Sequence, residues 1–257
     1  MADADFPAGA ALIFGGSGGI GQGVAACFAR AGTGVAICYR SKKERAEALA
    51  ASFEDQGVKA TAHRVDVTAE DQVRETLAQA VEAHGRIHTV VWGAGPVVDQ
   101  VLLAETTQAQ WRLALETETF GFFNAVQATL PHFREAGGGS FVHLGSAGDQ
   151  YWPQRDGLSV APKAVNEALV RGIAKEEGRH EIRANSVLVG VIEAGMFLEL
   201  LERGAFDAQW VEATHRMLAL KRWGRPEDIG EAAVFLASAK ANYITGQQIS
   251  VSGGFGV

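Results

Sequence analysis

Hydroxyl and ammonium groups in the second half of the chain could bind and orient the oxygen of a small substrate. Ser159 and Lys163 are four residues apart in a stretch that we predict to be helical, so they can share one helix face. Ser146 ends an apolar run seventeen residues before Lys163. An aliphatic hydroxyl is a much weaker acid than a phenol, so Ser159 predicts a hydrogen-bond donor that transfers protons poorly at neutral pH.

Two other side chains could supply a proton. Tyr151 follows Ser146 by five residues and could offer a phenol, or it could form a wall of the substrate loop together with Trp152 and Pro153. Glu118 could carry a proton if partial burial raised its pKa. It could equally be a carboxylate paired with Lys163. The sequence leaves these alternatives open.

A glycine-rich run follows the first apolar segment and opens a helical pattern. It reads Gly-Gly-Ser-Gly-Gly-Ile-Gly over residues 15–21. Glycines let the backbone approach a pyrophosphate closely, and a helix N-terminus offers free N–H groups to the phosphates. The run therefore predicts a nucleotide site formed by Gly15, Ser17, Gly18, Gly19, Ile20 and Gly21.

Cations and a hydroxyl gather where the second predicted strand ends. Arg40 and Ser41 stand there, followed by two lysines. An acidic residue at this point would accept hydrogen bonds from an unmodified ribose, whereas arginine and serine suit a 2′-phosphate. We therefore favour NADP(H) over NAD(H). Asp66 and Val67, after the third strand, could contact the adenine.

Short apolar runs alternate with helical patterns along the whole chain. Several runs are apolar throughout, as in parallel strands covered on both faces. The order favours one α/β domain over residues 1–257, a doubly wound Rossmann-type fold with a parallel sheet of about seven strands. The predicted strands are residues 10–14, 35–39, 60–65, 89–92, 140–144, 183–189 and 248–251. Capping boxes are expected at residues 41–44 and 107–110. Pro162 would suit a first helical turn and disturb a later one.

Composition excludes several classes of function. The net charge is -7 and the chain has two cysteines, Cys27 and Cys38, so we expect neither nucleic-acid binding nor a disulfide framework. The histidines lack metal-ligand spacing, so no metal is expected. The N-terminus does not read as a signal peptide, and no apolar run reaches membrane-spanning length. We expect a cytoplasmic protein that binds no membrane.

Taken together and in order, these motifs resemble the short-chain dehydrogenase/reductase family over nearly the whole chain. The matching residues are Gly15, Gly19, Gly21, Asp66, Ala94, Gly95, Ser146, Lys163 and Gly190, with residues 183–187, 222–228, 243–246 and 252–254. The resemblance implies an NAD(P)-dependent oxidoreductase. Lys163 would hold the nicotinamide ribose, Ser146 would bind the substrate oxygen, and Ala94, Gly95 and Ile192 would line the cofactor site.

The chain also departs from the pattern of this family. Phe14 and Ala194 each replace a threonine, Trp92 and Gly93 two asparagines, Glu118 an asparagine, Ser159 the active-site tyrosine and Val189 a proline. Most of these changes touch the proton-transfer side. The resemblance therefore predicts an atypical member with an altered reaction, whose candidate catalytic residues are Ser146, Tyr151, Ser159 and Lys163.

Three functions are compatible with this altered site. The first is reduction of an activated C=C bond, as in an enoyl or dienoyl thioester or an enone. The second is a carbonyl reductase or alcohol dehydrogenase that uses Tyr151 or Glu118 as a replacement acid. The third is a cofactor-binding protein or subunit without redox activity. The direction of reaction stays open.

The sequence also predicts a substrate lid and a surface for subunit contact. An irregular insert within residues 194–220 is expected to form a substrate lid for a small, largely apolar molecule. Its apolar lining would come from Met196, Phe197, Leu198, Leu200, Leu201 and Phe206. Trp111, Phe120, Phe122 and Phe123 recur at roughly helical spacing, which is typical of core or subunit packing. The resemblance implies a homotetramer or homodimer.

Overall fold

A single parallel sheet organises the protein. The computed structural model describes residues 5–257. The sheet has seven strands in the order β3-β2-β1-β4-β5-β6-β7. The strands are β1 (Ala10–Phe14), β2 (Gly34–Tyr39), β3 (Ala60–Arg64), β4 (Ile87–Trp92), β5 (Gly139–Ser146), β6 (Ile182–Val189) and β7 (Gln248–Val251). The order reverses direction between β1 and β4, and ligands of such sheets bind at this switch point beyond the carboxyl ends of the strands.

Helices cover both faces of the sheet. They are α1 (Gly19–Arg30), α2 (Lys43–Glu54), α3 (Glu70–His84), α4 (Gln108–Leu115), α5 (Gly121–Glu135), α6 (Gly157–Glu177), α7 (Met196–Glu202), α8 (Ala208–Met217) and α9 (Pro226–Ala237). Within residues 5–257, no helix is long and apolar enough to cross a membrane.

Two apolar cores lie on the two sides of the sheet, and β1 serves both. Ala11 and Ile13 belong to one core with α1, α2 and α9, while Leu12 and Phe14 belong to the other with α3, α5 and α6. Every residue of β1 is buried. Because successive side chains of a strand point to opposite faces, a strand covered on both sides has to be apolar throughout. This explains the unbroken apolar run that predicted β1.

The predicted fold class, a Rossmann-type α/β fold with a seven-stranded parallel sheet, is confirmed, with three differences in detail. The capping box at Thr107 and Gln110 forms, but α2 begins one residue later than an N-cap at Ser41 predicts, with Lys42 at its N-cap and no side-chain cap. The insert at residues 194–220 is less irregular than expected, because α7 and α8 lie within it. Pro162 lies six residues into α6, beyond the first turn, and its carbonyl accepts a hydrogen bond from Thr119 Oγ1 at 3.1 Å.

Candidate functional site

The glycine loop between β1 and α1 is packed so tightly that side chains have no room. A Cβ at Gly19 would lie 2.3 Å from the backbone nitrogen of Gly195, and one at Gly21 would lie 2.2 Å from the carbonyl oxygen of Gly15. Gly15 has a φ of 77°, which favours glycine. A Cβ there would lie 2.4 Å from the carbonyl oxygen of Gly93. The loop therefore needs glycine for close contact with the β4 and β6 loops.

The N-terminus of α1 opens directly from this loop. Gly18 is its N-cap and contributes no side-chain cap, so the first N–H groups of the helix remain available to an anion. Ser17 is buried beside them, and Ile20 packs against the core. Free N–H groups and a glycine-rich backbone could bind a dinucleotide pyrophosphate here. The residues that could surround it are Gly15, Ser17, Gly18, Gly19, Ile20 and Gly21.

The carboxyl ends of β2 and β3 carry an exposed positive surface. Arg40 and Ser41 are exposed directly after β2. The carboxylate of Asp66 accepts hydrogen bonds from the backbone nitrogen and hydroxyl of Thr68, at 3.0 and 2.7 Å. These bonds, with the charges of Arg40 and Arg64, hold the pKa of Asp66 below its usual range. Asp66 is thus an ionised residue of fixed orientation next to the buried Val67.

Lys163 lies on α6 and is held by Glu118. The Lys163 Nζ donates to Glu118 Oε2 at 2.7 Å, and the two side chains are 19% and 4% exposed. The indole nitrogen of Trp92, at the end of β4, donates to the other carboxylate oxygen of Glu118 at 3.3 Å. Both oxygens of Glu118 therefore have donors. Of the two alternatives for Glu118, the geometry agrees with a carboxylate paired with Lys163.

Glu118 reaches this position from an irregular helical turn. Residues Glu116–Phe120 form a π-type turn that joins α4 to α5. Such turns are rare and occur often at functional sites. Gly95 leaves room for the carboxylate, since a Cβ there would lie 2.4 Å from Glu118 Oε2 and 3.9 Å from Lys163 Nζ. Ala94 and Gly95 thus border the ion pair.

Aromatic rings extend from this ion pair into the core. Trp92 packs against Phe14 and Phe122, with ring centroids 5.3 and 5.6 Å apart. Phe122 in turn lies 5.4 Å from the ring of His143. Trp92, Phe14 and Phe122 are fully buried. Phe14, Trp92 and Glu118, three positions singled out in the sequence, therefore form one connected group.

Ser146 and Ser159 lie at the carboxyl end of β5 and at the start of α6. Ser146 ends β5, and its hydroxyl accepts from the backbone nitrogen of Gly148 at 3.1 Å. Ser159 is buried in the first turn of α6. It precedes Lys163 by one helical turn, as the sequence predicts. Tyr151 is half exposed, with its ring edge-on to Phe255 at a centroid distance of 5.4 Å.

Sequence reasoning missed a carboxylic acid beside this site. Asp156 is the N-cap of α6, yet its side chain does not cap the helix. It accepts instead from Gln100 Nε2 at 3.1 Å. Burial raises the pKa of Asp156, against the hydrogen bond from Gln100 and the charge of Lys163. The sequence signal that could have identified Asp156 is its position about one helical turn before Ser159.

A second missed group is a buried polar network behind the site. Asn166 donates to the carbonyl oxygen of Glu118 at 3.1 Å. His143 Nδ1 lies 2.9 Å from Glu167 Oε1, and Gln248 donates to the other oxygen of Glu167 at 2.9 Å. These hydrogen bonds hold the pKa of Glu167 below its usual range despite the opposing effect of burial. The network connects α6 with β5 and β7 and fixes the face of α6 that carries Lys163.

The loop after β6 covers the glycine loop. Ile192 is buried and pairs with Gly224, and Gly195 approaches Gly19. Beyond it, aromatic rings on α7 and α8 pack with rings from the adjoining loops. Phe206 and Trp210 stack at 3.8 Å, and Phe197 contacts both of them and Trp223. Leu200 is buried, while Leu198 is 40% exposed.

The chain is similar to known proteins over nearly its whole length. The family model described as Enoyl-(Acyl carrier protein) reductase matches residues 15–256. The chain is 32% identical over 244 residues to a 3-oxoacyl-(acyl-carrier-protein) reductase of Staphylococcus epidermidis, covering 95% of this chain and 97% of the relative.

Solved structures of similar fold cover nearly the whole chain. A short-chain type dehydrogenase/reductase from Mycobacterium ulcerans superimposes with a TM-score of 0.90 at 28% identity, over 97% of this chain and 90% of that one. A gluconate 5-dehydrogenase from Burkholderia cenocepacia, solved with NADP and tartrate, gives 0.89 at 28% identity, over 97% and 96%. With its seven-stranded Rossmann-type sheet and glycine loop, the chain belongs to the short-chain dehydrogenase/reductase family and is an NAD(P)-dependent oxidoreductase.

Proposed function

We propose that the protein is an NADP(H)-dependent reductase of an activated C=C bond, such as that of an enone or an enoyl or dienoyl thioester. The observation that carries the proposal is that Ser159 lies one turn before Lys163 on α6, while Glu118 is engaged in the ion pair with Lys163. The reduced cofactor supplies a hydride. Addition of this hydride to the β-carbon would leave an enolate, and hydroxyl donors could stabilise the enolate oxygen.

The roles proposed for the residues follow from their positions. Lys163 binds the nicotinamide ribose and is kept in place by Glu118. Ser146 and Ser159 donate hydrogen bonds to the substrate oxygen, and Ser159 stands where the family carries its tyrosine. Tyr151 is a candidate acid, although its contact with Phe255 also suits a wall of the substrate site. Asp66, Val67, Ala94, Gly95 and Ile192 would contact the cofactor.

Reduction of a ketone is the second candidate. It is supported by the name of the Staphylococcus epidermidis relative, a 3-oxoacyl reductase. A ketone yields an alkoxide, which is far more basic than an enolate and needs a proton during the reaction. The two candidates therefore differ in how strongly they depend on an acid.

A substrate panel distinguishes these candidates. We expect the purified protein to oxidise NADPH faster in the presence of enones or enoyl thioesters than in the presence of matched saturated ketones. The loss of NADPH absorbance at 340 nm measures the rate. Faster turnover of the ketones would favour the second candidate. Tight NADPH binding without turnover of any substrate would contradict both and favour a non-redox protein.

The cofactor preference rests on Arg40 and Ser41. Both are exposed at the end of β2, where the family places the adenine ribose, and no hydrogen bond or ion pair engages the Arg40 side chain within residues 5–257. The relative from Burkholderia cenocepacia was solved with NADP. We propose that Arg40 binds the 2′-phosphate of NADPH.

Arg40→Ala should weaken NADPH binding about tenfold, since a charge-assisted hydrogen bond contributes about 1.5–3 kcal/mol. NADH binding should change little, because NADH lacks the phosphate. Fluorescence titration of both cofactors measures this. Arg45→Ala, an exposed arginine on α2, is the control for a general change in charge. Equal weakening of NADPH and NADH would refute the assignment.

The remaining expectations extend the proposal to partners. Phe120 and Phe123 are 61% and 44% exposed, on the turn and helix that follow α4, which favours a homotetramer or dimer in which they are covered. Phe122, in contrast, is a core residue. Residues 194–220 would form the lid over a small apolar substrate. The cytoplasmic location stays a prediction.

A further inference from the structure

Asp156 lies on the face of α6 that carries Ser159 and Lys163. It is three residues before Ser159 and seven before Lys163, and these intervals bring residues to one side of a helix. Its carbonyl accepts the backbone N–H groups of Ser159 and Val160, at 3.1 and 2.9 Å. The backbone of Asp156 is therefore fixed to the first turn of α6, three residues before Ser159.

The carboxyl group of Asp156 does not cap α6, although Asp156 is the N-cap residue. An aspartate at an N-cap usually accepts a hydrogen bond from the second or third N–H of its helix, but this side chain does not. Gln100 Nε2 donates to its Oδ1 at 3.1 Å, and the backbone of the adjacent Val101 pairs with Asp156. The segment after β4 thus holds the carboxyl group through Gln100, so that it does not cap the helix.

The carboxyl group of Asp156 is partly removed from water, and the charge of Lys163 acts on it. It is half-buried, and the charge that acts on it is that of Lys163 on the same helix, while the segment after β4 contributes the neutral Gln100. The charge of Lys163 is compensated by Glu118. Burial raises the pKa of Asp156, so the acid stays protonated to higher pH than a solvated aspartic acid.

We propose that Asp156 is the general acid of this enzyme, the group that gives a proton to the substrate oxygen in place of a phenol at position 159. This inference rests on the proposed reductase function. Bound NADPH would supply a hydride to the carbonyl or conjugated acceptor and would itself be oxidised, and an electron pair would move onto the substrate oxygen. The O–H bond of Asp156 breaks as the new O–H bond forms on that oxygen, and water reprotonates the carboxylate. An enol formed from an enone then tautomerises to the ketone.

The first test measures the ionisation of Asp156 without substrate. Protein labelled with carbon-13 at the aspartate carboxyl groups is titrated by NMR, with Asp156→Asn used to assign the signal. We expect one carboxyl that titrates above the ordinary value of about 4 and whose signal is absent from the variant. A signal of Asp156 that titrates at or below that value would overturn the proposal.

The second test measures activity on the best substrate of the panel. Asp156→Asn should lower kcat by about 100-fold, a typical contribution of general acid catalysis, while the Kd for NADPH stays unchanged. The wild-type rate of reduction should fall as the pH rises through the pKa of Asp156, because the donor is the protonated form. Asp156→Glu should keep this pH dependence, and Asp156→Asn should lose it.

The exposed Asp149, on the preceding loop, gives a matched control, and Asp149→Asn should leave both readouts unchanged. If Asp156→Asn keeps the wild-type rate and pH profile, or if Tyr151→Phe alone removes the activity, Asp156 is not the acid, whereas the reductase proposal survives. Absence of turnover by the wild-type protein with every substrate of the panel would end both proposals.

Discussion

Replacing Glu118 by alanine should lower the free energy of unfolding by about 3 kcal/mol, the lower end of the cost of breaking a buried ion pair. The change leaves the Lys163 ammonium, whose side chain is 19% exposed, without its carboxylate. It also leaves the indole N–H of the fully buried Trp92 without its acceptor. A buried donor without a partner adds to the cost. Urea denaturation at equilibrium measures the effect.

The matched control is Glu47→Ala on α2, which removes one partner of an exposed pair. Lys43 and Glu47 are 3.7 Å apart, with side chains 65% and 55% exposed, and such pairs contribute about 0.3–0.5 kcal/mol. Glu118→Gln removes the charge and keeps the shape of the side chain. The amide oxygen can still accept a hydrogen bond from the indole N–H of Trp92. An equal loss of stability in Glu118→Ala and Glu47→Ala would show that the buried pair is not an important stabilising contact.

Gly19→Ala should raise the Kd for NADPH on the order of 100-fold. The added Cβ would lie 2.3 Å from the backbone nitrogen of Gly195, so the glycine loop or the loop after β6 has to move. Loss of one or two hydrogen bonds from backbone N–H groups to the charged pyrophosphate, at about 1.5–3 kcal/mol each, accounts for the expected change. Fluorescence titration with NADPH measures it.

Gly172→Ala on α6 makes the same chemical change where there is space. Within residues 5–257, no atom outside the adjoining backbone of α6 lies within 4 Å of the added Cβ. Alanine in a helix is about 0.5–1 kcal/mol more favourable than glycine. We expect unchanged NADPH binding and a small gain in stability. Circular dichroism establishes that both variants are folded. Unchanged NADPH binding in a folded Gly19→Ala would contradict the placement of the pyrophosphate at this loop.

The fold was predictable because parallel strands buried on both faces are apolar throughout. β1 and the glycine loop illustrate this, since the apolar run ends where the backbone has to turn into α1. The start of α2 was not predictable from Ser41, because the capping pattern can occur without forming a cap. In the structure the N-cap is Lys42, and no side chain caps the helix. The two helices within residues 194–220 escaped prediction because they are short.

The candidate site was predictable where spacing along one element decides the geometry. Ser159 and Lys163 are one turn apart on α6, as their interval indicates. Glu118 could be placed near Lys163 only as one of two alternatives, because its contact joins residues that are 45 positions apart in the chain. Asp156 was missed for a related reason. Its partner Gln100 lies 56 positions away, and without that contact it reads as an ordinary N-cap.

The contacts among Phe14, Trp92 and Glu118 limit how the protein can be re-engineered toward an asparagine-containing site. An asparagine in place of Trp92 would open a cavity between two phenylalanine rings and remove a donor from Glu118. An asparagine in place of Glu118 alone would leave Lys163 without its counter-charge. Neighbouring substitutions of this kind are not additive. A designer would therefore have to exchange these positions as a set, since each single step passes through a less stable intermediate.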